Sequence, residues 1–314
     1  MPDHRMPHRL AEASLSGMAR RPAPLPDALR PTFTTAQAHR AGVRPDRLRA
    51  KDLRTPTAGV RSPAAAEVDV HNTARAYALV LPPPFAFSHL TAARLLGLPT
   101  PRPWTPDERL HVMRPKGTSL LTRAGVHGHR GLERRLTDFV DGLAVTDPLE
   151  TWADLAHELA EDDLLAIADD LLARDRTRPK DLERIAADRS TRGSVALRRC
   201  ASLARAGSAS PWESKARHAF LTWRLPEPEL NADVHTSDGR WLARPDFLWR
   251  ARRVVGEYDG DQHRTDRAQW QYERERRARL EDAGFTYVEM TSLSLTSPRH
   301  RDALRERLTR LLLG

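Results

Sequence analysis

The chain has 314 residues, 39% of them apolar and 30% charged, with a formal net charge of +9. That apolar share over that length supports a substantial core in two or three domains and excludes a wholly disordered chain. The single cysteine, Cys200, excludes an internal disulfide framework and suits a reducing cytoplasm. No apolar run approaches the roughly 20 residues of a bilayer span, and the opening MPDHRMPHRLAEASLSGMARRPAP has no apolar stretch of signal-peptide type. The expectation is a cytoplasmic protein with no membrane partner.

The positive charge is concentrated at the N-terminus: residues 1–62 carry 12 Lys/Arg against 5 Asp/Glu, whereas residues 63–209 balance at 20 against 20. Two readings stay open. Such a cluster attracts polyanions through counterion release, or it is an arginine-rich solubilising surface.

In chain order, residues 1–30, rich in proline, read as a disordered arm. Within 31–70, Thr34 or Thr35 can cap a short helix that stops at Gly42, and Pro45 suits the first turn of a second, basic helix. Arg44, Arg47, Arg49 and Lys51 lie on or beside that helix, and LRTPTAGVRS returns as a hairpin or wing. The spacing fits a winged helix-turn-helix, whose second helix would enter a DNA major groove. Residues 71–190 read as a mixed α/β domain. Helices are predicted over 72–81 and 87–97, the latter capped by Ser88; short strands over 110–115 and 126–130; and helices over 147–160, 162–174 and 179–187. A helix cap and a local contact account for Ser88 and His89, and Trp152 reads as core. Residues 191–209 read as a basic linker.

From residue 210 the order is helix (211–223), strands near 230–235, 241–248 and 253–258, a long charged helix (266–282), the β-rich FTYVEMT, and a closing helix (298–313). This is an α/β order. Asp246 falls just before one strand, and Glu257 and Asp259 lie two apart on the next, so both could project to one face. Carboxylates gathered in this way suit a hard divalent cation such as magnesium or manganese. Taken singly, Asp246 is a turn residue and Glu257 the partner of an arginine. On the long helix, Arg274 and Arg277 share a face and are candidates for nucleic-acid contact, while the remaining cations are balanced by neighbouring glutamates.

SPWESKAR, RPDF, VVGEYDGDQH and the arginine-rich helix leading to AGFTYVEMT together resemble the very-short-patch-repair-like branch of the PD-(D/E)xK nuclease superfamily, across residues 210–314. The resemblance implies a restriction-endonuclease-like α/β/α core in which Glu213, Asp246 and Glu257 hold magnesium, with His263 nearby. Where the superfamily usually has a lysine two residues after the second carboxylate, this chain has Asp259. Asp259 as an added ligand, Lys215 as a migrated ammonium, and loss of catalysis with retention of the fold all remain open. Residues 33 to about 175, through FTTAQAHRAGV, FSHLTAARLLGL and GLAVTDPLETWADLA, resemble the AbiEi-type antitoxins of type IV toxin-antitoxin systems. Two functions follow from these resemblances. One is a metal-dependent DNA endonuclease tethered to DNA by the winged helix; the other is a DNA-binding, antitoxin-like regulator with a degenerate nuclease fold. DNA is the partner common to both, with a homodimer and a cognate toxin as further expectations.

Overall fold

A computed structural model describes residues 22–190, 192–236, 238–260 and 267–314, the last range by backbone alone over 267–272. The chain is mixed α/β and divides into two compact units, one of residues up to Glu67 with 76–80, the other of 68–75 with Leu81–Gly314. Among the described residues no helix is long and apolar enough to cross a membrane.

The first unit is built on β1 (Phe33–Thr34), α1 (Thr35–Arg40), β2 (Leu53–Arg54) and β3 (Val60–Pro63), with sheet order β1-β3-β2 and antiparallel pairing throughout. Thr34 is the cap of α1: its hydroxyl accepts from the Gln37 amide at 3.1 Å, and Gln37 Oε1 accepts from the Thr34 amide at 2.7 Å. Phe33, Ala38, Val43 and Leu48 form the core, and Leu25 and Leu29 pack on it, so the stretch expected as a free arm is anchored from residue 25. The predicted second helix is a single 3-10 turn, Arg47–Arg49. It goes no further because the Leu48 carbonyl accepts from Arg61 Nε at 2.8 Å and Ala50 is extended.

In the second unit α2 (Val70–Ala78), which also contributes to the first, is followed by β4 (Ala86–Phe87), α3 (His89–Leu95), β5 (Leu110–Arg114), β6 (Val126–Arg130), β7 (Thr137–Val140) and β8 (Leu143–Thr146). The sheet order is β6-β5-β4-β8-β7; β5 runs parallel to β6 and β4 to β8. Helices α4 (Pro148–Leu155), α5 (Glu161–Ala173), α6 (Pro179–Asp188) and α7 (Ser194–Leu203) follow. Trp152 is fully buried, its indole N–H donating to the Leu164 carbonyl at 2.9 Å. The stretch expected as a linker carries α7, which buries Leu197, Cys200 and Ala201. Its arginines conceal that apolar stripe in the sequence.

The chain continues through α8 (Pro211–Thr222), β9 (Glu229–Leu230), β10 (Val234–His235), β11 (Trp241–Ala243), β12 (Phe247–Trp249), β13 (Val254–Tyr258), α9 (Arg267–Asp282), β14 (Thr286–Met290), α10 (Ser292–Thr296) and α11 (Pro298–Leu313). Strands β14-β13-β12-β9 form one sheet, with β13 parallel to β14 and the other pairs antiparallel; β10 and β11 make a separate ribbon. One face packs Phe247, Trp249, Val254 and Val288 against Ala216 and Phe220 of α8 and the leucines of α11. The other packs Leu248 and Val255 on Leu280 of α9. Helices on both faces make this section a three-layer α/β/α sandwich.

Between the helical section and this sandwich lies a fully buried ion pair, Arg217 of α8 with both oxygens of Asp169 of α5 at 2.8 Å.

Candidate functional site

In β13 Glu257 shares a face with Val255, and Tyr258 turns to the opposite face, where it stacks on Trp212 at 5.5 Å. The β12–β13 register pairs Phe247 with Gly256, so the next step outward sets Asp246 opposite Glu257. Each carboxylate is held by the protein through one oxygen. Asp246 Oδ2 accepts from the Tyr258 amide at 2.7 Å. Glu213 Oε2, one turn into α8, accepts from the Ala209 amide at 2.8 Å and from Asn231 Nδ2 at 2.9 Å. Glu257 Oε2 accepts from Arg276 and, at 3.1 Å, from the Tyr287 hydroxyl. Its other oxygen, Oε1, is buried and has no hydrogen-bond partner among the described residues.

Burial pushes the Asp246 carboxyl up to about 6, helped by the charge of Glu213 and resisted by the Tyr258 amide and Arg276. Burial likewise raises Glu257 to about 7, because desolvation outweighs the pull of Arg276, and Asp246 adds to the rise. The three acids thus form an electrostatic chain with Asp246 in the middle. The chain is loose: among the described residues, the groups whose ligand atoms all fall within 4.8 Å of one another are composed of other residues, treated below.

Two expectations about the cation at this site change. Lys215 is committed elsewhere, its Nζ 2.5 Å from Asp163 and over the Trp212 ring. The cation facing Glu257 is Arg276, which the sequence reading had grouped among the balanced residues of the long helix. Asp259 lies past the end of β13, exposed, its amide donating to the Met290 carbonyl at 2.8 Å. Arg274 is exposed, and Arg277 pairs with Glu281 at 2.9 Å and covers the Tyr287 ring. His263 lies outside the described residues.

Of the four N-terminal cations proposed to meet DNA, Arg47 is occupied. Both its terminal nitrogens bind Asp52, at 2.9 and 2.7 Å, and its Nε donates to the Ala23 carbonyl. Arg44, Arg49 and Lys51 are exposed, with Asp46 3.6 Å from Arg49. A one-turn helix cannot lie along a major groove as a recognition helix does.

A second constellation gathers histidines that lie far apart in sequence. Parallel pairing of β5 with β6 sets His111 beside His127, and the alternation of β6 places His129 on the same face as His127. His89 opens α3 at φ +51°, in the left-handed region where an L side chain is strained. Its Nδ1 lies 3.0 Å from Ser88 Oγ, which makes no cap bond to the helix. The His89 ring stacks on His129 at 3.7 Å and meets His157 edge-on at 5.7 Å. One oxygen of Glu158, Oε1, faces His157 Nε2 at 3.6 Å and both His89 Nε2 and His111 Nδ1 at 3.9 Å. Burial lowers His111 to about 4 and His129 to about 3, the neighbouring histidines adding to both shifts, and drives His89 far down for the same reasons. These three imidazoles are therefore neutral at physiological pH. The turn bearing His157 and Glu158 rests on Gly193: a Cβ there would stand 2.3 Å from the Ala156 carbonyl oxygen. Donor atoms of His89, His111 and His129, and of His89, His157 and Glu158, lie close enough to hold a metal ion. The reading of Ser88 as a helix cap is thereby replaced by a contact to His89. The alternating His127-Gly-His129 was the sequence signal for this cluster.

The site is thus set in a mixed α/β chain with two clusters of potential ligands. No family model and no solved structure matches the chain. Uncharacterized protein MT2308 of Mycobacterium tuberculosis strain CDC 1551 / Oshkosh and uncharacterized protein Rv2248 of strain ATCC 25618 / H37Rv do match. Each is 30% identical over 199 residues, 63% of this chain and 71% of theirs. The chain belongs to the family of these mycobacterial proteins.

Proposed function

We propose that the chain is a metal-dependent nuclease that hydrolyses phosphodiester bonds at the Glu213–Asp246–Glu257 site. The observation that carries the reading is the electrostatic coupling of Asp246, at the edge of β12, to Glu257 of the neighbouring β13, with Glu257 Oε1 buried and without a hydrogen-bond partner among the described residues. A buried oxygen without a donor is costly unless something else satisfies it. An all-oxygen donor set suits magnesium or manganese, and Asp246 and Glu257 would hold the ion, with Glu213 reaching it through water. When bound, such an ion supplies charge neutralisation on the phosphodiester and a lowered pKa for water.

The remaining roles belong to the protein. The Tyr258 amide and the Tyr287 hydroxyl fix the two carboxylates in place. Arg276 offers positive charge beside Glu257, in the role the superfamily's lysine would fill. Asp246 and Glu257, raised to about 6 and about 7, would give up their protons when the ion is taken up. The exposed Arg44, Arg49 and Lys51 would add phosphate attraction without reading sequence. One observation favours the regulator reading, namely the exposed Asp259 where a catalytic lysine is expected. In that reading the same fold binds duplex and cuts nothing.

The test is incubation of the purified chain with supercoiled plasmid and with single-stranded DNA and RNA, in magnesium, manganese and EDTA. Cleavage that requires the metal and disappears in Asp246→Asn and Glu257→Gln is expected. Equal cleavage by both variants, or none with either metal, would overturn the nuclease reading; salt-sensitive duplex binding without cleavage would establish the regulator.

A further inference from the structure

We infer that the chain carries a second metal site, chemically distinct from the carboxylate one, in which His89, His157 and Glu158 bind a single zinc-class transition-metal ion. The spacing is the first ground. Glu158 Oε1 lies 3.6 Å from His157 Nε2 and 3.9 Å from His89 Nε2, both beyond a hydrogen bond. Two ligands on one zinc ion, each bonded at about 2.0–2.1 Å, stand about 3.4 Å apart in a tetrahedron and can be no more than about 4.2 Å apart. Both Glu158 gaps fall inside that range, and the three donor atoms all lie within 4.8 Å of one another.

Ring orientation selects the ligand set. An imidazole nitrogen donates in the plane of its ring, so two rings stacked face to face, with parallel and offset planes, cannot both direct a nitrogen at one ion. The planes of His89 and His157 cross at 89°, whereas His89 and His129 are stacked at 16°. His89, His157 and Glu158 therefore keep their donor atoms within 4.8 Å of one another with no stacking between the two rings, while His129, His111 and His127 form a stack beside them. His111 Nδ1 and His129 Nε2, 3.1 Å apart, are already engaged with each other.

The support around the ligands is of the kind metal sites require. Ser88 Oγ contacts Nδ1 of His89, leaving Nε2 as the nitrogen turned to Glu158. A ligand histidine is usually fixed through its second nitrogen in just this way. The backbone of His89 is held at φ +51°, and the Gly193 contact sets the turn of the other two ligands. His157 and Glu158 are exposed, which gives an ion a route in and leaves a coordination position for water. Nitrogen donors prefer zinc, nickel or cobalt to magnesium, so the two sites would separate metals by ligand chemistry.

The experiment uses the full chain with any purification tag removed, stripped of metal and titrated with zinc, and in parallel with cobalt(II) as a spectroscopic probe. Expected are one zinc per chain and the visible absorption of four-coordinate cobalt. His157→Ala and Glu158→Gln, exposed and outside the core, should each weaken zinc at least tenfold and abolish the cobalt band. His127→Ala and Asp246→Asn should keep both. Should His89→Ala fail to fold, the two exposed variants still decide. Absence of stoichiometric zinc in the parent, or zinc binding equal to the parent's in His157→Ala and Glu158→Gln, overturns the site. The magnesium-dependent reaction at Asp246 is read separately, so either site can fail alone.

Discussion

Replacement of Glu257 by glutamine should make the protein more stable at alkaline pH while weakening its hold on divalent cations. The Glu257 carboxyl is raised from its ordinary 4.5 to about 7 in the folded state, chiefly by burial. A raised acid favours folding where it is protonated, below its unfolded value, and that contribution is lost as pH rises through the folded value. Between pH 4 and pH 8 a shift of that size withdraws about 3 kcal/mol, at about 1.4 kcal/mol per unit. Glutamine resembles the protonated acid and cannot ionise, so the variant escapes the loss. Urea unfolding of parent and Glu257→Gln at several pH values between 4 and 8 isolates the effect, because every other titrating group is common to both. The gap between them should open with pH, in favour of the variant, by about 3 kcal/mol. Parallel curves across that range would mean that Glu257 is ionised throughout, and the account of its burial would be wrong.

Magnesium or manganese must displace protons from Asp246 and Glu257, so affinity for either ion should rise from pH 5.5 to pH 8 and level off above the two carboxyl values, as read by calorimetry; a flat profile would refute this. Asp169→Ala should cost about 3 kcal/mol in urea unfolding by removing the bidentate partner of the buried Arg217 guanidinium, which keeps only Glu227 at 3.4 Å and the Leu203 carbonyl at 2.9 Å; a loss below about 1 kcal/mol would show that these partners and water suffice. Arg47→Ala should leave duplex affinity and its salt dependence unchanged, since that side chain is bound to Asp52, while Arg44, Arg49 and Lys51 changed together to alanine should reduce the salt slope; a strong effect of Arg47→Ala alone would contradict the assignment. The Cys200 thiol, buried and pushed up to about 12, should resist alkylation in the native protein and react in denaturant; rapid native labelling would contradict its placement.

The α/β class and most long helices were legible because their signals are local. The helices expected from 147 and from 211 are present, capped by Asp147 and Ser210 with side-chain bonds to the Leu149 and Glu213 amides. Strand β7 was missed because Thr137, Asp138 and Phe139 are all exposed and give no alternation, and β4 and β9 are two residues long. The basic N-terminal helix was overread: Arg47 and Arg49 suit a helix locally, yet the Arg61 side chain takes the carbonyl that continuation would require. At the carboxylate site, the neighbouring strands bearing Asp246 and Glu257 could be read from spacing. Arg276 could not be singled out, since only the docking of α9 tells it from its neighbours. Beyond the alternation of His127 and His129, the histidine cluster could not be assembled for the same reason on a larger scale: residues 89, 111, 129 and 157 meet only through strand pairing and a turn between helices.

The buried pair of Asp169 and Arg217 bears on how this protein can be dissected or rebuilt. A cut at residue 209, where composition suggests a module begins, would take from Arg217 its bidentate counterion, leave it only Glu227, and bare the face of α8 that α5 covers. Such a fragment should be expressed as aggregate, and grafting residues 210–314 onto another carrier should fail unless α5 travels with them. The α/β/α sandwich and the helices before it are heritable as one block, which constrains how recombination can shuffle either.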